Sequence, residues 1–145
     1  MKVVFLDFDG VLTSEAYTRQ CIFEYRRENM FGMDWFDPFC LKMLQRIVDA
    51  TGAGIVVSSS WRELGEDKLK RLWDEIPMPG TLLGSAPEWI LTKDCAIWEY
   101  LKLHPCEKYV ILDDDDLHLP NQVKTYCREG LTEANAQEAI NTLNG

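Results

Sequence analysis

Short, almost wholly apolar runs recur along the chain, separated by stretches in which apolar residues return every three or four positions. Residues 2–7 (KVVFLD), 54–58 (GIVVS) and 108–113 (KYVILD) lack the alternation of a half-exposed strand and read as strands buried on both faces. Shorter strand candidates are 81–83 (TLL) and 122–126 (QVKTY). Between them the period changes. Asp37-Pro38 is a helix start, with Leu41, Leu44, Ile47 and Val48 on one face and Gly52 and Gly54 ending the segment. Residues 62–76 carry Leu64, Leu69, Leu72, Trp73 and Ile76 at helical spacing, and 93–103 carry Ala96, Ile97, Tyr100 and Leu101. Thr132 caps a last helix bearing Ala136, Ala139, Ile140 and Leu143.

Buried strands alternating with amphipathic helices predict an α/β fold with a mostly parallel sheet covered on both faces. Ligands in such folds bind outside the carboxyl ends of the strands, near a switch in strand order. Asp7, Ser58 and Asp113 each close one apolar run, so three polar residues distant in sequence are expected to face one crevice. No repeat or linker divides the 145 residues, and one domain over 1–145 is expected.

Composition narrows the class. An apolar share of 46% with five tryptophans suits a packed core, and no run approaches the ~20 residues of a membrane span. Five cysteines without a CxxC pair predict reduced thiols and a cytoplasmic protein. The formal charge of −9 disfavours nucleic acid as a partner until its distribution is read. Asp7, Asp9 and Asp113–Asp116 account for six acids; removing them from 24 leaves 18 against 15 bases.

Those six carry the chemistry. Two carboxylates about 4 Å apart repel by roughly 4 kcal/mol at an intermediate dielectric, so a cluster is either spread into water or held by a cation. In DFDG (7–10), Asp7 and Asp9 point the same way while the chain stays extended, and Gly10 permits a sharp turn. Paired carboxylates suit metal-assisted chemistry in which one attacks and the other moves protons. The alternative is an Asx turn closing a strand. The DDDD run lacks the alternating ligands and central glycine of an EF-hand, and His104 and His118 have no zinc spacing.

FLDFDGVLT after an apolar strand resembles the first motif of the haloacid dehalogenase (HAD) superfamily. IVVSSSWR (55–62), Lys93 in ILTKDCAIWEYL and VILDDDD follow in that superfamily's order. SSSWR, YVILDDD and GLT (130–132) before a final helix are similar to the HAD domain of Swiss Army knife RNA repair proteins. The resemblance implies a Rossmannoid three-layer αβα sandwich of about five strands with a minimal cap. It implies a Mg²⁺-dependent phosphomonoester hydrolase: Asp7 as nucleophile, Asp9 as acid and base, and Ser58 or Ser59 with Lys93 on the phosphate. Asp7, the Asp9 carbonyl and Asp113 or Asp114 would hold the metal. Arg62 and Lys124 are alternative cations for the phosphate. Candidate substrates are a phosphorylated small molecule or a nucleic-acid end, with no membrane or stable protein partner expected. A catalytically silent phosphate- or protein-binding module is the competing reading, and a broken motif would favour it; none is broken.

Residues 14–36 are expected to form a short flap at the site's mouth, with a hairpin around 16–26. Arg19, Arg26 and Arg27 interleave there with Tyr17, Phe23, Tyr25, Phe31, Trp35 and Phe36. That mixture suits base stacking and phosphate contact, but aromatics pinning the flap to the core explain it more simply.

Overall fold

The apolar runs become five strands, β1 (Lys2–Leu6), β2 (Gly54–Val57), β3 (Leu82–Ser85), β4 (Lys108–Asp113) and β5 (Gln122–Lys124). The computed structural model describes residues 1–27 and 32–145. The strands form one all-parallel sheet in the order β3-β2-β1-β4-β5. Helices α1 (Glu15–Arg19), α2 (Pro38–Thr51), α3 (Glu66–Glu75), α4 (Lys93–Leu103) and α5 (Glu133–Asn144) complete the fold.

The sheet separates two apolar clusters. Val4 and Leu6 of β1, with Ile55, Val57, Val110 and Leu112, meet α2, α3 and α5 through Leu44, Ile47, Leu69, Ala136 and Leu143. Val3, Phe5, Val56 and Ile111 point the other way, onto Ile97 and Tyr100 of α4. Period-two alternation thus feeds both faces of the same strands, giving the expected three layers. The layers are unequal: three helices cover one face and α4 covers the other.

Local signals act where the sequence predicts them. Asp37 accepts a hydrogen bond from the Phe39 amide at 2.9 Å and Pro38 begins α2; Gly52 ends it at φ 70°. Thr132 and Asn135 form a reciprocal capping box at the start of α5. The five cysteines are all unpaired. Among the described residues no helix is long and apolar enough to cross a membrane.

Two expectations need correction. The helix expected over 62–76 divides into a 3-10 turn, Ser60–Leu64, and α3, because Gly65 adopts φ 90° between them. The hairpin expected around 16–26 is helical: α1 runs into a π-helical turn at Gln20–Glu24. Ser14 causes this. Its Oγ accepts from the Tyr17 amide at 3.1 Å and donates to Asp37 Oδ2 at 2.8 Å, capping α1 while fixing it to the start of α2. The segment's aromatics split in role. Phe36 is buried against Phe8, whereas Phe23 and Tyr25 are exposed. Residues 28–31, including Phe31, lie outside the described residues.

Phe8 centres an aromatic group, with ring centroids 5.3 Å from Phe36, 5.2 Å from Trp61 and 6.3 Å from Trp73. Phe8→Ala is expected to cost about 3–5 kcal/mol, read as a lower urea midpoint with an unchanged slope. A loss below about 1 kcal/mol would show that this cluster does not hold the fold.

Candidate active site

Parallel register builds the site. Leu6 pairs with Val57 on one side and Leu112 on the other. The next position on each strand is Ser58, Asp7 or Asp113, and backbone bonds continue into that row: Ser58 N–H to Leu6 O at 2.9 Å, Asp7 N–H to Leu112 O at 3.0 Å. Strand order reverses between β1 and β4, where open α/β sheets leave a crevice. Leu6, Val57 and Leu112 face the three-helix side, so alternation turns the following row toward α4. Lys93, the first residue of α4, meets it there.

Lys93 Nζ lies 3.3 Å from Asp7 Oδ2, 3.3 Å from both Asp113 oxygens and 3.4 Å from Asp115 Oδ2. Asp7 and Asp113 are buried, at 3% and 0% exposure. Burial, reinforced by the charge of Asp113, pushes Asp7 up to about 7 against the opposing pull of Lys93. Burial likewise raises Asp113, partly countered by the Asp115 amide and Lys93. Burial by itself would lower Lys93, but the charges of Asp7 and Asp113 outweigh it and hold its pKa above the ordinary lysine value.

One lysine does not complete the set. Asp7, Asp113 and Asp114 each present an oxygen within 4.8 Å of the others. Asp113 Oδ2 is buried and accepts no hydrogen bond despite its nearness to Lys93. Three convergent carboxylates, one with an orphaned buried oxygen, suit a hard divalent cation such as Mg²⁺, and the raised pKa values of Asp7 and Asp113 mark the charge that such an ion would offset. Gly10 permits the arrangement: at φ 80° it lies so close to Asp114 that a Cβ would overlap the carboxylate. Thr13 Oγ1 accepts from the Gly10 amide at 2.9 Å, and buried Thr125 donates to the Gly10 carbonyl at 2.7 Å. The role of Thr125 was not foreseen; GVLT carried a signal for Thr13, a threonine three residues after a turn glycine.

The serines separate cleanly. Ser59 Oγ caps the 3-10 turn by accepting from the Trp61 amide at 3.1 Å. Ser58 Oγ is buried without a partner, and its residue belongs to the Asp7–Asp113 row. Arg62 is neither solvated nor free for a ligand, being buried among backbone carbonyls. Lys124 lies over the Tyr126 ring at 4.0 Å. Asp9 differs from buried Asp7 in exposure. The strand ends at Leu6, the turn takes in Asp9, and its side chain is exposed. It lines a groove of about 470 Å³ with Gly10, Thr18, Arg19, Asp114 and Cys127. Asp115 and Asp116 are largely exposed; Asp116 accepts from the His118 amide at 3.0 Å. His104 stacks on Tyr100, away from this row.

Without a cation, Asp7 and Asp113 destabilise the fold once the unfolded chain ionises them. Between pH 4 and 7 the native state holds protons that the unfolded state has lost, so stability falls as pH rises through that window. For Asp7 the effect is on the order of 4 kcal/mol. Metal-free Asp7→Asn is therefore expected to melt higher than metal-free wild type at pH 7.5, with the gap closing toward pH 4. Added Mg²⁺ should raise the wild-type melting temperature more at pH 7.5 than at pH 5. Parallel pH profiles of wild type and variant would contradict this electrostatic picture.

Compared with known proteins, residues 3–136 match the family model described as the HAD domain in Swiss Army Knife RNA repair proteins. No curated protein and no solved structure matches the chain. The match runs from the second residue of β1 through the other four strands and the acidic row to the first turn of α5, and the chain belongs to this family of HAD domains.

Proposed function

We propose that the protein is a phosphomonoester hydrolase that works through an aspartyl-phosphate and acts on nucleotide or nucleic-acid terminal phosphates. The observation that carries this reading is the row itself: a buried carboxylate, an unpartnered buried hydroxyl and a lysine, Asp7, Ser58 and Lys93, converge beside a cation-type acidic cluster. Family membership supports the reaction class, and the family's tie to RNA repair supports the substrate class.

Asp7, Asp113 and Asp114 would hold Mg²⁺, with the Asp9 carbonyl as a further oxygen. Bound there, the ion supplies positive charge that lets an anionic nucleophile approach an anionic phosphate. An Asp7 carboxylate oxygen attacks phosphorus, and the bond from phosphorus to the leaving oxygen breaks. Asp9, at the groove that would take the leaving group, acts as the acid that gives that oxygen a proton. Water then attacks the aspartyl-phosphate, Asp9 takes the water's proton, and Asp7 and inorganic phosphate are released. Ser58 Oγ–H and Lys93 Nζ donate to the non-bridging oxygens throughout.

Hydrolysis of p-nitrophenyl phosphate should require Mg²⁺ and fall at least about 1,000-fold in Asp7→Asn. Full activity in that variant would sink the mechanism. Ser58→Ala should lose about 10–100-fold in kcat/KM, the value of a hydrogen bond to a charged group, while Ser59→Ala loses stability instead. Across free nucleotides, 3′- and 5′-phosphorylated oligonucleotides and small sugar phosphates, the highest kcat/KM should fall on a nucleotide or oligonucleotide end. Phosphate binding without turnover of any of these would make the protein a binding module.

A further inference from the structure

Arg62 is 3% exposed, and no carboxylate among the described residues forms an ion pair with it. Its guanidinium is nevertheless saturated. Nη1 donates to Ser58 O and Ser59 O, both at 3.1 Å. Nε donates to Pro87 O at 3.4 Å, and Nη2 to Ile90 O at 2.8 Å and Leu91 O at 3.5 Å. Five donors thus meet five carbonyls, the full capacity of the group. The carbonyls belong to two segments distant in sequence: the end of β2, carrying Ser58, and the loop 87–91, which leads within two residues to Lys93.

That loop has few other restraints at its far end. Trp89 and Leu91 are 73% and 92% exposed, and Thr92 makes no side-chain cap for α4. Arg62 thus ties the backbone that leads into Lys93 to the end of β2. Burying an arginine without an acid is costly, and the general reason to keep one is that a rigid planar fork can fix several carbonyls at once.

We infer that Arg62 is a positioning residue: it fixes the distance between the two phosphate-binding groups, Ser58 and Lys93, by clamping both of their backbone supports. This rests on the phosphatase reading above. Arg62→Lys keeps the charge but replaces a five-donor fork with three donors at one point. In Arg62→Lys the competitive inhibition constant of inorganic phosphate and the KM for p-nitrophenyl phosphate should both rise at least about tenfold. The Mg²⁺ concentration for half-maximal activity should stay within about twofold of wild type. In Arg62→Ala, added guanidinium should restore part of the phosphate affinity. Phosphate inhibition unchanged in a folded Arg62→Lys variant overturns the inference.

If neither variant folds, amide exchange of the wild type decides. Inorganic phosphate should protect residues 58–62 and 88–93 together, and protection of one segment without the other overturns the clamp. The two readings fail separately. Wild type that hydrolyses phosphomonoesters, beside an inactive Asp7→Asn, upholds the site even where the Arg62 variants behave as wild type. Wild type that neither hydrolyses phosphomonoesters nor binds phosphate overturns both.

Discussion

Everything at the site depends on the parallel pairing of β1 with β4. Leu6 opposite Leu112 puts Asp7 and Asp113 side by side, and adjacent strands lie only about 4.8 Å apart. The backbone ladder thus forces two buried carboxylates together at a cost that no local rearrangement can relieve. A slip of one residue would turn Asp7 or Asp113 into the three-helix core. Lys93 and a cation-sized set of oxygens are answers to a conflict created by the register.

The rest of the molecule can be understood as support for that row. The apolar residues preceding it, Leu6, Val57 and Leu112, are fully buried, which fixes the strands along their axes. Gly10 lets Asp114 approach, Thr13 and Thr125 fix the Gly10 backbone, and the start of α4 brings the lysine. Ser59 caps the turn after β2 and leaves the neighbouring hydroxyl unspent.

Elements with local causes were legible in the sequence. Asp37-Pro38, Gly52 and Thr132 mark helix ends by chemistry confined to a few residues, and α2, α4 and α5 follow the expected bounds closely. The acidic row was legible because each member closes an apolar run. The failures have a common origin in long-range contacts. Ser14 as a cap is visible locally, but its choice of helix over hairpin is reinforced by Asp37, 23 residues away. Arg62 reads as a cation available to the phosphate because its partners, the carbonyls of Pro87, Ile90 and Leu91, carry no side-chain signature.

The uneven layering has a consequence for how the protein fails on heating. One helix, α4, both shields Val3, Phe5 and Ile111 from water and carries Lys93 into the acidic row. Fraying of that single helix removes the cation and bares a hydrophobic sheet face in the same event. Loss of the lysine from the acidic row and exposure of sticky surface are thereby one local opening. Disruption of the acidic row and self-association would then share an onset, and ligands that hold Lys93 in place would protect against aggregation as well.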